Sequence, residues 1–178
     1  MKAGAVTGSK SETLRELSQA VLGLEVTKGH LLWKVTDLVR KTGFSRALVY
    51  RYLGSSKTEI LRSALKNFIH EFYGFEGVQG GIAFVERIRQ ARGRLAAHPE
   101  LSLFYIKWRS KTSELQAEFM DAEARYRRRL KKIFPKLSDH EILTRHAVMH
   151  GLVTAPFLSP EEAMQIYQNL FASVDRLS

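Results

Sequence analysis

The sequence predicts an all-α fold of about nine helices, and three features of the chain support this prediction. Apolar residues recur every three or four positions along most of the 178 residues, which places them on one face of a helix. The chain has only four prolines, and together with the helical spacing this argues against a β protein. At three predicted helix starts a serine is followed by a glutamate three residues later, the reciprocal capping pattern that begins a helix. These pairs are Ser56/Glu59, Ser138/Glu141 and Ser159/Glu162.

The composition bounds the class of protein. The chain carries 28 lysine and arginine residues and 18 acidic residues, a formal net charge of +10, so a polyanionic partner is expected. It has no cysteine, which excludes a disulfide framework and a thiolate metal site. No apolar segment approaches the ~20 residues that cross a bilayer, and the N-terminus lacks the apolar region of a secretion signal. We therefore expect a cytoplasmic protein with no membrane partner.

The first domain is predicted over residues 1–55. It begins with an arm of about ten small and polar residues, followed by helix 1 at about Ser11–Leu24. One face of this helix is apolar and carries Leu14, Leu17, Val21 and Leu24. After a break at 27–30, the next three residues are expected to pack in the core of this domain. They are Leu31, Leu32 and Trp33.

Two short helices separated by a tight turn are predicted next, at about Lys34–Lys41 and Ser45–Leu53. Gly43 lies between them, and glycine readily adopts the left-handed conformation that ends a helix. Ser45 is a favourable N-cap, because its hydroxyl can accept a hydrogen bond from an amide of the first turn. Two helices joined by such a turn form the helix-turn-helix, whose second helix lies in the DNA major groove.

This pair of helices is predicted to have a packed side and a basic side. The residues expected inside are Phe44, Leu48, Val49 and Leu53. Between Lys34 and Lys57 the chain has six basic residues and one acidic residue. Neutralisation of phosphates is the main source of sequence-independent DNA affinity, so the charge favours DNA binding. The alternative is a helical hairpin with a solvated basic face.

The same stretch carries a run of residues that resembles the TetR family of bacterial transcriptional repressors. The run reads Val35-x-Asp37-Leu38-Val39-x-x-x-Gly43-Phe44-Ser45-x-Ala47-x-Val49-Tyr50-x-Tyr52, followed by Ser56-Lys57. The chain departs from the family pattern at Lys34, at Leu53 and in the longer turn 54–56. The resemblance covers about the first third of the chain. It implies a DNA-binding domain followed by a helical domain, residues 56–178, that binds an effector and dimerises.

The outward residues and the resemblance together give the candidate DNA contacts. Arg46 can bond two acceptors of guanine, and Ala47 can contact the methyl group of thymine. The resemblance implies that Tyr50 and Tyr52 meet phosphates or base edges and that Lys57 contacts a phosphate. For Tyr52 the alternative is a half-buried packing residue. The complete predicted set is Thr36, Ser45, Arg46, Ala47, Tyr50, Arg51, Tyr52 and Lys57.

The second domain is predicted to be helical throughout. Helix 4 begins at Ser56 and is apolar on two sides, so it is expected to contact both domains. A flexible linker is predicted over Gly74–Gly81, which contains four of the twelve glycines. The remaining helices are predicted at about Ile82–Ala97, Glu100–Ser110, Thr112–Phe134, Ser138–Ala155 and from Pro160 onward.

Aromatic residues of the second domain are candidates for a pocket that binds a small, largely apolar effector. Tyr105 and Trp108 rank first, because their polar groups need partners if they are buried. For each residue taken singly, ordinary core packing is the alternative. The candidate ligand-binding residues are Phe72, Phe104, Tyr105, Trp108, Phe119 and His150.

Two further patterns receive structural interpretations. His146 and His150 lie four residues apart, a spacing that a metal ion can use, but no third ligand is evident. We therefore predict core or interface histidines, no metal and no other cofactor. The basic run Arg125–Lys132 can bind a nucleotide or an acidic partner, and a solvated helix face is the preferred interpretation. The sequence contains no nucleophile–base set, no paired carboxylates and no glycine-rich phosphate loop, so we predict no enzymatic activity.

A regulator with these features is expected to bind a two-fold operator in double-stranded DNA as a homodimer. Helices 8 and 9 have wide apolar stripes for the dimer contact, and Gly151 allows close approach. Our hypothesis is that an effector in the second domain shifts helix 4, changes the spacing of the recognition helices and releases DNA. The alternative is a ligand-independent DNA-binding factor of the same fold that a protein or nucleotide partner controls.

Overall fold

The computed structural model describes residues 9–73, 80–109 and 114–175. Within these ranges the chain forms nine α-helices and no β-strand, which confirms the predicted all-α fold. The helices are α1 (Lys10–Lys28), α2 (Val35–Thr42), α3 (Arg46–Leu53), α4 (Lys57–Tyr73), α5 (Gly80–Ala97), α6 (Pro99–Arg109), α7 (Glu114–Ile133), α8 (Asp139–Thr154) and α9 (Pro160–Asp175). The predicted N-terminal arm lies almost wholly outside the described residues, and so does most of the predicted linker. None of the described helices is both long and apolar enough to cross a membrane.

The chain divides into two compact units, Met1–Phe68 and Ile69–Ser178. The division falls inside α4, whereas the predicted boundary lay before this helix, at residues 55 and 56. The first three turns of α4 belong to the first unit, and they bury Ile60 and Leu61 completely or nearly so. A boundary read from the turn before α4 misses this, because the turn is a local signal and the packing of α4 is not.

In the first unit, α2 and α3 pack on α1. The α1 helix begins with a capping box, in which Ser9 Oγ accepts from the Glu12 amide at 3.2 Å and Glu12 Oε2 accepts from the Ser9 amide at 2.6 Å. It continues for one turn beyond the predicted end and reaches Lys28. The core of this unit is apolar, and its most completely buried side chains include Leu17, Val21, Trp33, Leu38, Val49 and Leu53.

One residue of the first unit contradicts its predicted place. Leu32 is 72% exposed, whereas Trp33 is fully buried. Both residues were predicted to lie in the core because both are apolar. The backbone between α1 and α2 directs these two neighbours in opposite senses, and the larger indole ring occupies the interior.

In the second unit, α5 packs on α8 and α9, α7 packs on α6 and α8, and α8 also contacts α9. The capping boxes predicted for α8 and α9 are present. The Ser138 hydroxyl accepts from the Glu141 amide at 3.3 Å, and the Ser159 hydroxyl accepts from the Glu162 amide at 3.1 Å. In each pair the glutamate carboxylate accepts in return from the serine amide. Local sequence therefore fixes where these two helices begin.

Candidate nucleic-acid interface

The turn between α2 and α3 has the geometry that its sequence predicts. Gly43 has φ 74° and ψ −3°, the left-handed conformation, and its amide donates to the Val39 carbonyl at 2.8 Å. The Thr42 hydroxyl donates to the Leu38 carbonyl at 2.9 Å and accepts from the Phe44 amide at 3.3 Å. The Phe44 ring is buried. The turn is thus held by one backbone hydrogen bond, by two hydrogen bonds of the Thr42 hydroxyl and by the buried Phe44 ring.

The α3 helix has one packed face and one exposed face. Its N-cap is Ser45, whose hydroxyl accepts from the Leu48 amide at 3.2 Å. Val49 and Leu53 are buried, as predicted. Among the predicted DNA contacts, Tyr52 is half-buried and Tyr50 is 41% exposed. The other six, which are also exposed, are Thr36, Ser45, Arg46, Ala47, Arg51 and Lys57.

The start of α2 is capped without a Ser or Thr at position 34. The Asp37 carboxylate accepts from the Lys34 amide at 2.8 Å, and Lys28 Nζ lies 2.9 Å from the same oxygen. The hydrogen bond from Lys28 and the one from the Lys34 amide lower the pKa of Asp37. Asp37 therefore holds the first turn of α2 and pairs with Lys28, while Thr36 beside it stays exposed.

The turn between α3 and α4 is built around one carboxylate. Glu59 Oε2 accepts from the Ser55 amide at 2.9 Å, the Ser55 hydroxyl at 2.9 Å and the Ser56 amide at 3.0 Å. These bonds, the Ser56 amide first, lower the pKa of Glu59 to about 2. Gly54 has φ 112°, and a Cβ there would lie 2.8 Å from Glu59 Cβ. The turn that precedes Lys57, although longer than the family pattern, is therefore tightly bonded.

A buried carboxylate that the sequence analysis did not single out lies behind this region. Glu25, on α1, is fully buried, and its Oε1 accepts from Trp33 Nε1 at 2.5 Å and from the Leu31 amide at 3.0 Å. His30 Nδ1 lies 3.2 Å from Oε2. The Leu31 carbonyl in turn accepts from Lys57 Nζ at 2.8 Å. The available signal was a glutamate among the apolar residues of α1 together with a nearby indole N–H, which needs an acceptor when buried.

Most of the net positive charge lies in the first unit. Residues 1–68 contain twelve lysine and arginine residues and five acidic residues, a net +7, and residues 69–178 contain sixteen and thirteen, a net +3. The same unit contains all eight predicted DNA contacts. A positive field of this kind attracts a polyanion and raises its rate of association.

The second unit brings all six predicted effector residues into one connected aromatic cluster. The Tyr105 ring lies 5.8 Å from Phe72, 5.4 Å from Phe119 and 5.3 Å from the His150 imidazole, centroid to centroid. Phe104 extends the cluster, 6.2 Å from Phe119 and 6.3 Å from Trp108. The phenylalanine, tyrosine and tryptophan rings of the cluster are all buried, and the imidazole of His150 is half-buried. Ring packing of this kind fits both predicted alternatives, a core and an apolar ligand site.

A polar pair inside this cluster was missed by the sequence analysis. Glu123 is 2% exposed and receives Arg109 Nε at 2.5 Å on Oε1 and an Arg109 terminal nitrogen at 3.1 Å on Oε2. The Tyr105 hydroxyl also donates to Oε1, at 3.0 Å. Burial alone would raise the pKa of Glu123, but the hydrogen bonds and charge of Arg109 and the Tyr105 hydroxyl lower it overall.

The hydrogen bonds also define the protonation of His150. Tyr105 has one hydroxyl proton and gives it to Glu123, so at the 3.1 Å contact His150 Nδ1 is the donor and the tyrosine oxygen accepts. Burial lowers the pKa of His150 to about 3 and that of His146 to about 4. Both imidazoles are therefore neutral at pH 7, and the cluster carries no net histidine charge.

The two histidines, His146 and His150, contact each other. Their rings meet edge to face at 4.6 Å. His146 is 4% exposed, and its Nε2 has no hydrogen-bond partner within the described part of the chain. In the same part of the chain, no three His, Asp or Glu side chains are grouped so that they could hold a metal ion.

No protein-family model matches this chain, and the curated proteins and solved structures contain no significant match to it either. The resemblance to TetR regulators therefore rests only on the residues between Val35 and Lys57.

Proposed function

We propose that this protein is a sequence-specific DNA-binding transcriptional regulator that resembles the TetR family. One observation carries the proposal: α3 leaves Arg46, Ala47 and Tyr50 exposed while its Val49 and Leu53 are buried. A recognition helix needs this division, because base contacts require free side chains and a fixed helix axis. The caps at Gly43 and Ser45 provide the fixed axis.

The surrounding residues support binding to duplex DNA. Lys57 lies exposed at the first turn of α4, where an ammonium group can meet a phosphate. The first unit supplies most of the net charge of the chain. A backbone clamp of this kind gives affinity, and the exposed residues of α3 give specificity.

A homodimer is part of the proposal, because a single helix-turn-helix makes few base contacts. Exposed apolar residues on α8 and α9 support a contact between copies. They are Leu143, Ile166 and Leu170, and Gly151 is exposed on the same helix as Leu143. Apolar residues left at the surface favour association with a complementary surface.

We propose that a small, largely apolar molecule controls DNA binding through the aromatic cluster. The α4 helix carries Lys57 in its first turn and Phe72 in its last, and Phe72 packs on Tyr105 and His150. A ligand that moved Phe72 would act on the helix that bears Lys57, which is a route to repressor release. The close packing of the six rings favours a second candidate, a DNA-binding factor of the same fold that responds to a partner rather than to a ligand.

The test is selection of bound duplexes from a random DNA pool, followed by titration in rising salt. We expect a two-fold repeated site whose affinity falls steeply with salt. Arg46→Ala should weaken binding to the selected site by ~1–3 kcal/mol and binding to random DNA much less. Lys66→Ala removes one exposed charge from α4 and serves as the matched control. Equal losses on both DNAs for Arg46→Ala would reduce Arg46 to a phosphate contact, and no binding to any duplex would refute the proposal.

Release by a ligand is tested separately, by competing a panel of apolar aromatic compounds against labelled operator DNA. A compound that lowers operator affinity in the wild type, and no longer does so in Tyr105→Leu, supports the aromatic cluster as its site. If compounds bind without any change in operator affinity, the ligand-independent candidate is favoured.

A further inference from the structure

The strongest unexplained feature of the first unit is the burial of Glu25. A carboxylate without exposure is unfavourable unless hydrogen bonds replace its water. Glu25 has such bonds, from Trp33 Nε1 and the Leu31 amide to one oxygen and from His30 to the other. An apolar residue would fill the same place on α1 without that penalty. The carboxylate is therefore better explained by what it holds than by a contribution to stability.

What it holds is the backbone of Leu31 in an unfavourable conformation. Leu31 has φ 54°, and it is the one residue other than glycine with positive φ in the described ranges. This region costs an L-residue about 1–2 kcal/mol relative to an ordinary conformation. The bond from its amide to Glu25 opposes that penalty. The next amide, Leu32, donates to the Gly29 carbonyl at 3.3 Å and closes the turn.

The Leu31 carbonyl is the acceptor for Lys57 Nζ, from a residue 26 positions later in the chain. A lysine ammonium has three N–H donors, so the bond to the neutral Leu31 carbonyl leaves two donors for an anionic group such as phosphate. Because Lys57 is long and flexible, holding its ammonium in place before binding reduces the side-chain entropy lost on contact.

We infer that Glu25 is a positioning residue for the Lys57 phosphate contact. The connection runs from the buried carboxylate to the Leu31 amide, through the Leu31 carbonyl, to the ammonium group. Glu25 itself is buried and touches no DNA. Because this role presupposes the proposed DNA binding, its two steps are tested separately, first without DNA and then with it.

The first step is measured by acylation of lysines with an N-hydroxysuccinimide ester, followed by peptide mass spectrometry. In Glu25→Leu the Leu31 amide and the indole N–H lose their acceptor, and Lys57 should react about fivefold faster, the factor for one lost hydrogen bond. Glu25→Gln is the matched control, because its amide oxygen still accepts both bonds. Its Lys57 should react as in the wild type. The exposed Lys41 should react equally in all three proteins.

If Glu25→Leu does not fold, Trp33→Phe replaces it, since this change keeps an aromatic ring and removes one donor to Glu25. A smaller increase in Lys57 reactivity is then expected. An unchanged rate at Lys57 in every folded variant would overturn the positioning role and leave the proposed function untouched.

The second step is measured by DNA titration in rising salt. Glu25→Leu should make the negative slope of log affinity against log salt shallower by about 1 per protomer, as loss of one phosphate contact does. Lys57→Met should give the same change, and the double variant should add nothing to Lys57→Met alone. If the changes in salt slope caused by Glu25→Leu and Lys57→Met were fully additive, the Leu31 carbonyl would be irrelevant to the phosphate contact and the role would be overturned. Tighter DNA binding by Glu25→Leu would also overturn it, because the carbonyl would then compete with phosphate for Lys57. A wild-type chain that binds no duplex would refute the proposed function and with it this second step.

Discussion

Basic side chains are exposed in the recognition region of the first unit, residues 35–57, whereas two charged side chains are buried among the aromatic residues of the second unit. Around α3 the charged side chains lie in water, and the backbone beneath them is fixed by caps at Gly43, Ser45 and Glu59. In the second unit Glu123 and Arg145 are buried, at 2% and 1% exposure. Arg145 donates to the Tyr167 hydroxyl at 2.8 Å and lies over the rings of Phe134 and Phe171.

This difference predicts which positions of each unit tolerate amino-acid substitution. An exposed charge contributes little to folding, so the recognition face can vary in sequence while its backbone keeps its geometry. A buried charge is costly to leave without its partner. Substitution of a buried charged residue in the second unit is therefore tolerated only when its partners are substituted with it. Four predictions test this contrast, beginning with the largest expected effect.

Glu123→Ala should destabilise the second unit by ~3 kcal/mol, because it removes a buried partner of Arg109 and Tyr105. Urea denaturation followed by circular dichroism measures this. Asp121→Ala is the control on the same helix. Asp121 pairs with Arg125 at the surface, and its removal should cost less than ~0.5 kcal/mol. Similar losses for the two variants would contradict the contrast between buried and exposed charge.

Gly54→Ala and Gly43→Ala should differ although both glycines have positive φ. At Gly43 a Cβ would meet nothing within 4 Å, so alanine should cost only the conformational ~1 kcal/mol. At Gly54 the Cβ would lie 2.8 Å from Glu59 Cβ, and the added clash should raise the cost to ~2 kcal/mol. Thermal denaturation of both variants decides the order, and a larger loss at Gly43 would show that the turn around Glu59 yields easily.

Acid should weaken the second unit over the range in which the unfolded histidines gain protons. Burial lowers the pKa of His146 to about 4 from an ordinary value of 6.5. Its neutral form is therefore favoured in the folded state, and the contribution to stability is complete above pH 6.5. It is lost progressively as the pH falls toward 4, by up to ~1.4 kcal/mol per pH unit for one proton.

Urea midpoints at pH 7 and pH 5 measure this loss. His146→Leu should have a smaller difference between the two midpoints than the wild type. A wild-type difference that His146→Leu leaves intact would assign the acid sensitivity to other groups, with His150 the first candidate because burial lowers its pKa to about 3.

Arg46→Ala should have the smallest effect on folding, within ~0.5 kcal/mol of the wild type. Arg46 is exposed, and its helix is held by the buried Val49 and Leu53. The same variant that weakens specific DNA binding should therefore keep the wild-type thermal midpoint. A large loss of stability would mean that Arg46 supports the fold and would remove it from the predicted DNA contacts.

Much of the first unit follows from local sequence. The caps at Ser45 and Ser56, the glycine turn at Gly43 and the inward Val49 all depend on neighbours within four positions. The helix starts at Ser138 and Ser159 depend on the same kind of short-range bond. Leu32 was placed wrongly because its apolar side chain carries no information about the direction of the loop backbone.

The sequence alone determined the helices, the capped starts of α3, α4, α8 and α9, and the basic outward face of α3, because hydrogen bonds and periodicity within a few residues specify them. Only the tertiary structure decided that Glu25, Glu123 and Arg145 are interior, that α4 belongs partly to the first unit, and that Lys57 meets the Leu31 carbonyl. A charged residue has the same local pattern whether it is exposed or buried. Its place depends on donors and rings that distant parts of the chain bring to it.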